Sequence, residues 1–115
     1  RGFLYGFLLA NKLGIPFIPI RKAGKLPAET VKYKYALEYG FAEVEIHKGD
    51  VKKGWNVLIH DDLLATGGTA CAAAELINQL NANIVAFTFI VSLYALNGEE
   101  RLQQYTDNII SLIDC

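Results

Sequence analysis

The spacing of apolar residues changes period several times along the chain. Between Phe3 and Leu13 they fall at 3, 4, 7, 8 and 9, close to one helical face, and Gly14 follows where a helix C-terminal cap sits. Ile15 to Ile20 is a short apolar run holding Pro16 and Pro19, which predicts a buried or edge-leaning strand. A polar stretch marked by Gly and Pro, Arg21 to Thr30, reads as a loop. Val31 to Leu37 and Phe41 to His47 both alternate, with Tyr39-Gly40 between them, as in a hairpin. Trp55 to His60 is an apolar strand closed by two aspartates. Thr69 to Leu80 follows as an apolar helix with several alanines, suited to close packing on a sheet. Ile84 to Val91 is strongly strand-prone, Asn97 to Gln104 reads as a short helix, and Ile109 to Ile113 as a last strand. Strands alternating with helices predict an α/β domain, a parallel sheet flanked by helices. In such sheets ligands bind beyond the carboxyl ends of the strands.

Length and composition add bounds. A chain of 115 residues supports one domain with one core, and 52% hydrophobic with 20% charged residues is a globular profile. The longest apolar stretch, Ala86 to Leu96, is far short of the roughly 18 to 20 residues that span a bilayer. No secretory signal opens the chain. Cys71 and Cys115 have no disulfide or zinc spacing and fit a reducing compartment, with Cys71 a small core residue. A net charge of −1 argues against general nucleic-acid affinity. The charge is unevenly spread, however. Basic residues crowd at Arg21, Lys22, Lys25, Lys32 and Lys34, opposed only by Glu29, a cluster suited to a small polyanion.

Residues 57 to 69 read VLIHDDLLATGGT. Asp61 and Asp62 end the strand, a loop turns, and a helix starts near Thr69. Gly67 and Gly68 reach backbone angles denied to other residues and let a ligand approach the main chain. The amides from Ala65 to Thr69 can face one concavity, the helix N-terminus adds partial positive charge, and Thr66 and Thr69 add hydroxyls. The assembly suits a phosphate monoester, and the two carboxylates suit hydroxyls one sugar-length away, which together describe a ribose 5-phosphate. The same residues also serve a plain tight turn with Thr69 as helix N-cap. The glycines are adjacent and no Gly-Lys-Ser/Thr follows, so this is neither a P-loop nor a dinucleotide fingerprint.

An apolar strand followed by Asp-Asp and Ala-Thr-Gly-Gly-Thr resembles the phosphoribosyl diphosphate (PRPP) motif of type I phosphoribosyltransferases. The likeness extends over nearly the whole chain. Arg1-Gly2-Phe3 looks like the end of the family's diphosphate-loop motif. The stretch from Arg21 to Pro27 and the run Tyr35-Ala36-Leu37-Glu38-Tyr39-Gly40 resemble segments of the adenine branch, the second being its flexible catalytic loop.

The resemblance implies transfer of a 5-phosphoribosyl group from PRPP to adenine in purine salvage, giving AMP and diphosphate. Asp61 and Asp62 would hold the ribose hydroxyls, and Ala65, Thr66, Gly67, Gly68 and Thr69 the 5-phosphate. Arg1, Lys22 and Lys25 would face the diphosphate. Glu38 would act as general acid/base on the purine, with Tyr39 beside it, and Leu93 would lie against the base. Mg2+ is implied as cofactor, held mainly through PRPP, diphosphate and water, so no protein metal ligand is named. A cytoplasmic homodimer is implied, with PRPP and adenine as partners and neither nucleic acid nor membrane. Two departures stand out. His60 replaces a usual aliphatic residue, and a neutral, hydrogen-bonded histidine is expected there. Ser92 precedes Leu93 where many adenine enzymes carry Glu, which leaves the base contact open.

Related chains carry further residues ahead of the point matching Arg1, namely a hood and an interior strand of the parallel sheet. Residues 1 to 115 are therefore expected to be a single partial core domain with a protruding flexible hairpin. Its N-terminal hood and one interior strand are expected to be missing. Loss of that strand would leave backbone groups and apolar faces uncovered, so the piece alone is expected to be unstable, rearranged or oligomeric. Other readings are a PRPP-binding regulator, an inactive fragment, or a phosphoribosyltransferase of another purine specificity. Tyr33 and Tyr35 are expected to pack on a strand face, Trp55 to start a core strand, and Lys32, Lys34, Lys52 and Lys53 to be surface lysines.

Overall fold

The computed structural model describes residues 2–24, 29–37 and 40–115. Helix α1 (Gly2–Leu13) opens the chain. It ends as Gly14 predicts, with φ at 69°. The Gly14 amide donates to the Asn11 carbonyl at 3.2 Å and the Ile15 amide to that of Ala10 at 3.0 Å, a Schellman cap that satisfies the last carbonyls. The buried seam of α1 is not its large apolar stripe. Gly6 and Ala10, one turn apart, face inward, while Phe3, Leu4, Tyr5, Phe7 and Leu8 are exposed. A side chain at Gly6 would press on Phe17 and His60, so the small residue lets the helix approach strand β4 (Asn56–Leu64) closely.

Two three-stranded sheets follow. One is antiparallel, in the order β1 (Arg21–Lys22), β3 (Gly40–His47), β2 (Thr30–Leu37). The expected hairpin is formed by β2 and β3, paired from Thr30 with His47 to Leu37 with Gly40. The other sheet is parallel, in the order β4, β5 (Asn83–Ser92), β6 (Ile109–Asp114). Helix α2 (Gly68–Gln79) joins β4 to β5. A turn of 3-10 helix (Tyr94–Leu96) and the short helix α3 (Gly98–Leu102) join β5 to β6.

Helix α2 packs against both sheets. Ala70, Ala72, Ala73 and Ala74 bring its backbone close, and Leu76 and Ile77 fill the space beneath. Ile46 of β3 and Phe87 and Phe89 of β5 complete one core, the two rings stacked with centroids 6.4 Å apart. Tyr33 and Tyr35 pack against that core, as expected.

Three expectations are corrected. Ile15 to Ile20 forms no strand. Pro16 and Pro19 cannot donate to a ladder, and no described strand pairs with the segment. Trp55 is exposed just ahead of β4 and does not start the core. The strand also does not stop at the aspartates. Its ladder with β5 continues through Asp61 opposite Phe89 to Leu64 opposite Ser92.

Among the described residues β4 pairs only with β5, leaving its other edge without a strand. Along that edge runs a cleft of about 620 Å³ between α1, residues 15–22, β4 and α2. This edge agrees with the expectation of a missing interior strand.

Candidate phosphate and ribose site

Beyond Leu64 the chain turns through Ala65, Thr66 and Gly67 into α2. Gly67 is the N-cap, with φ at 89°, a left-handed conformation that a side chain would strain. Thr69 is therefore not the cap; it lies in the first helical turn. Among the described residues no side chain caps the helix, so its first amides stay available to a ligand. The helical ladder starts at the Cys71 amide, which donates to the Gly67 carbonyl at 2.8 Å.

The consecutive residues Asp61 to Ala70 line a cavity of about 230 Å³. It brings together Asp61, Asp62, Ala65, Thr66, Gly67, Gly68 and Thr69, all of the residues expected to meet ribose and 5-phosphate. The Asp61 carboxylate accepts the Asp62 amide at 2.8 Å. Burial pushes the Asp61 carboxyl up to about 6, the amide bond opposing and the neighbouring Asp62 carboxylate adding to the rise. One end of the cavity thus carries carboxylate acceptors and the other a helix N-terminus, the opposed polarities that a sugar phosphate requires.

The sequence profile described as "Phosphoribosyl transferase domain" matches residues 1–114. The chain belongs to the phosphoribosyl transferase domain family. An adenine phosphoribosyltransferase of Cytophaga hutchinsonii is 51% identical over 114 residues, 99% of this chain and 63% of that protein. The crystal structure of adenine phosphoribosyltransferase from Thermoanaerobacter pseudethanolicus superposes with a TM-score of 0.94 at 50% identity, covering 100% of this chain and 66% of that one. The Saccharomyces cerevisiae adenine phosphoribosyltransferase, complexed with an imino-altritol bisphosphate and adenine, gives a TM-score of 0.88 at 46% identity, covering 97% and 62%. The resemblance to the adenine branch holds in these names. This phosphoribosyl transferase domain spans somewhat less than two thirds of the length of such relatives.

The remaining expected residues of the domain are more scattered. Lys22 is exposed on β1, opposite Val44 and at the mouth of the cleft. Arg1, Lys25, Glu38 and Tyr39 lie outside the described residues. Leu93 directly follows β5, and its amide donates to the Leu64 carbonyl at 2.8 Å, which ties it to the start of the loop. Ser92 is buried at the end of β5. His60 behaves as expected of a neutral histidine. Its Nδ1 lies 2.9 Å from the Thr88 hydroxyl, and burial lowers its pKa against the pull of Asp62. Its Nε2 is buried without a partner among the described residues. Cys71 packs against the core, where burial pushes its thiol up, as suits a structural cysteine. No three His, Cys, Asp or Glu side chains come together as a metal-holding group among the described residues.

Sequence reading missed three contributors. The Tyr35 hydroxyl, from β2, lies 3.4 Å from the Thr69 hydroxyl. The Arg101 guanidinium donates to the Thr66 carbonyl at 3.1 Å. Gly98 stands against the loop so closely that a side chain there would overlap the Ala65 carbonyl oxygen. No local pattern marks these residues, because each acts across about thirty or more positions of sequence.

Proposed function

We propose that the full-length protein transfers the 5-phosphoribosyl group of PRPP to adenine, giving AMP and diphosphate in purine salvage. The observation that carries this reading is the cavity formed by Asp61 to Ala70, with acids at one end and open helix amides at the other. The yeast relative's complex with adenine and a bisphosphate supports the choice of ligands. Asp61 and Asp62 accept the ribose hydroxyls, and their charge favours the cationic ribosyl centre that develops as diphosphate leaves. Ala65, Thr66, Gly67, Gly68 and Thr69 hold the 5-phosphate. Arg1, Lys22 and Lys25 face the diphosphate, whose growing charge such cations stabilise. Glu38 exchanges a proton with the purine, Tyr39 is its neighbour, and Leu93 lies against the base.

The donor set fits magnesium. The carboxylate oxygens of Asp61 and Asp62 are hard donors, able to reach a hydrated ion through water. Mg2+, when bound with PRPP, supplies charge neutralisation of the diphosphate. In this reading residues 1–115 are one partial core domain of a cytoplasmic homodimer. The free cysteines support a reducing compartment, and the exposed aromatic and leucine side chains of α1 support burial against more protein.

The test is calorimetric titration of PRPP with Mg2+ into this chain and into Asp61→Ala/Asp62→Ala. Each lost charged hydrogen bond is worth about 1.5–3 kcal/mol, so the double variant is expected to bind at least a hundredfold more weakly. Equal affinity in the two proteins would sink the assignment. If neither binds, the titration is repeated with the N-terminal segment of a relative restored. Failure there too would overturn the reading.

A further inference from the structure

Three successive carbonyls of the phosphate loop point the same way. That of Leu64 accepts the Leu93 amide at 2.8 Å, that of Ala65 abuts Gly98, and that of Thr66 accepts Arg101 Nη1 at 3.1 Å. All three face the segment from Leu93 to Arg101. The peptides here are trans, and a trans planar peptide sets each N–H opposite the preceding C=O. The amides of Ala65, Thr66 and Gly67 are therefore turned away from that segment. The cavity is lined by residues 61 to 70 with none from 93 to 101, so it lies on the side to which those amides turn.

From this geometry we propose that the Gly98–Arg101 turn presets the phosphate loop, with Arg101 a positioning residue for 5-phosphate binding. Gly98 lets α3 close on the Ala65 carbonyl, and its own carbonyl would lie 3.1 Å from a side chain added at Gly67. Arg101 then fixes the next carbonyl, so two adjacent peptides present their amides before any phosphate arrives. Arg101 is the only Lys or Arg after Asp61 in the sequence. It lies on the solvent side of the loop and does not line the cavity. Its work passes through the Thr66 carbonyl. Preorganised donors bind more tightly because the ordering cost has already been met.

This inference rests on the phosphoribosyl reading and is tested on both sides of it. The proteins are this chain, Arg101→Met, which keeps the apolar stem, and Arg101→Lys, which restores a cationic donor. The first readout needs no ligand. Backbone amide shifts and 15N relaxation of residues 65–67 are expected to move in Arg101→Met, to return toward the starting values in Arg101→Lys, and to leave residues 84–91 of β5 unchanged. The second is ribose 5-phosphate binding. Arg101→Met is expected to weaken it about three- to tenfold, the scale of one hydrogen bond, with most of the loss recovered by lysine. Unchanged loop amides in Arg101→Met overturn the proposal whether or not the chain binds. Affinity equal to that of the starting chain overturns it as well. If the starting chain binds no ribose 5-phosphate, the affinity arm is read on the same variants with the N-terminal segment of a relative restored. Failure there too sinks the phosphoribosyl reading, and the loop amides still decide the preset geometry.

Discussion

The carboxyl end and the free edge of strand β4 are built differently. At its carboxyl end the chain from Asp61 to Ala70 closes on itself, backed by Leu93, Gly98 and Arg101, and the helix that follows is packed between two sheets. Along its free edge, α1 meets β4 through Gly6 and Ala10 while its aromatic and leucine side chains face outward, and residues 15–20 pair with nothing described. The first region is one continuous stretch held from behind by residues of the β5–β6 connection. The second presents apolar surface and ladder groups that its own residues do not cover. A continuous candidate site can thus line its own cavity beside a strand edge that stays open among the described residues.

Paired truncations give the largest effect. Leu76 on α2 is 0% exposed and Leu8 on α1 is 52% exposed. Leu76→Ala is expected to cost about 2–5 kcal/mol in urea unfolding. Leu8→Ala should stay within about 0.5 kcal/mol, as at an open surface. Equal losses would mean that α1 is buried in solution and would erase the contrast. Next comes Gly67→Ala. The left-handed backbone costs about 1–2 kcal/mol, and the new methyl meets the Gly98 carbonyl, so both stability and PRPP affinity should fall. An alanine variant as stable as the parent would show the loop to be pliable.

A smaller effect depends on pH. The Asp61 carboxyl is raised from an ordinary 3.8 to about 6 in the folded chain. The native state therefore holds more protons than the unfolded one between these values, and stability from this group declines as pH rises through that window. Asp61→Asn should flatten that slope in a series of melts, and an unchanged slope would assign it to other groups. The smallest effect concerns His60. Its Nε2 is buried and unpaired among the described residues, while Nδ1 and Thr88 satisfy each other. Replacing both, as His60→Leu/Thr88→Val, should be neutral or stabilising by about 1 kcal/mol, since an apolar pair removes the orphan as well. A clear loss would reveal a role for the unpaired nitrogen.

Much of the fold was legible. The α2 alanines, the β-branched run of β5, the alternating hairpin strands and the Gly14 cap each encode their structure locally. The strand ends were not. Asp61 and Asp62 look like terminators, yet β5 is long enough to carry the ladder on to Ser92. Ile15 to Ile20 has strand composition, but pairing requires a neighbour that no local pattern supplies. The inward seam of α1 is Gly6 and Ala10 because Phe17 and His60 press close at Gly6, while the larger Phe3 and Phe7 meet only the edge of Phe17 and stay exposed. The lining of the cavity was legible because it is one continuous stretch. Its backing was not, because Arg101 lies 35 positions from Thr66.

Helix α2 has consequences for thermodynamic coupling. Its first turn forms one wall of the cradle, and its body is shared by both sheets. Occupancy at the loop and the global folding equilibrium are therefore linked through a single element. A phosphate ester at a hundredfold excess over its dissociation constant should shift that equilibrium by about 2.7 kcal/mol. If the loop binds a sugar phosphate, the melting temperature of the domain should keep rising with ligand concentration and so gauge the affinity, readable without any turnover.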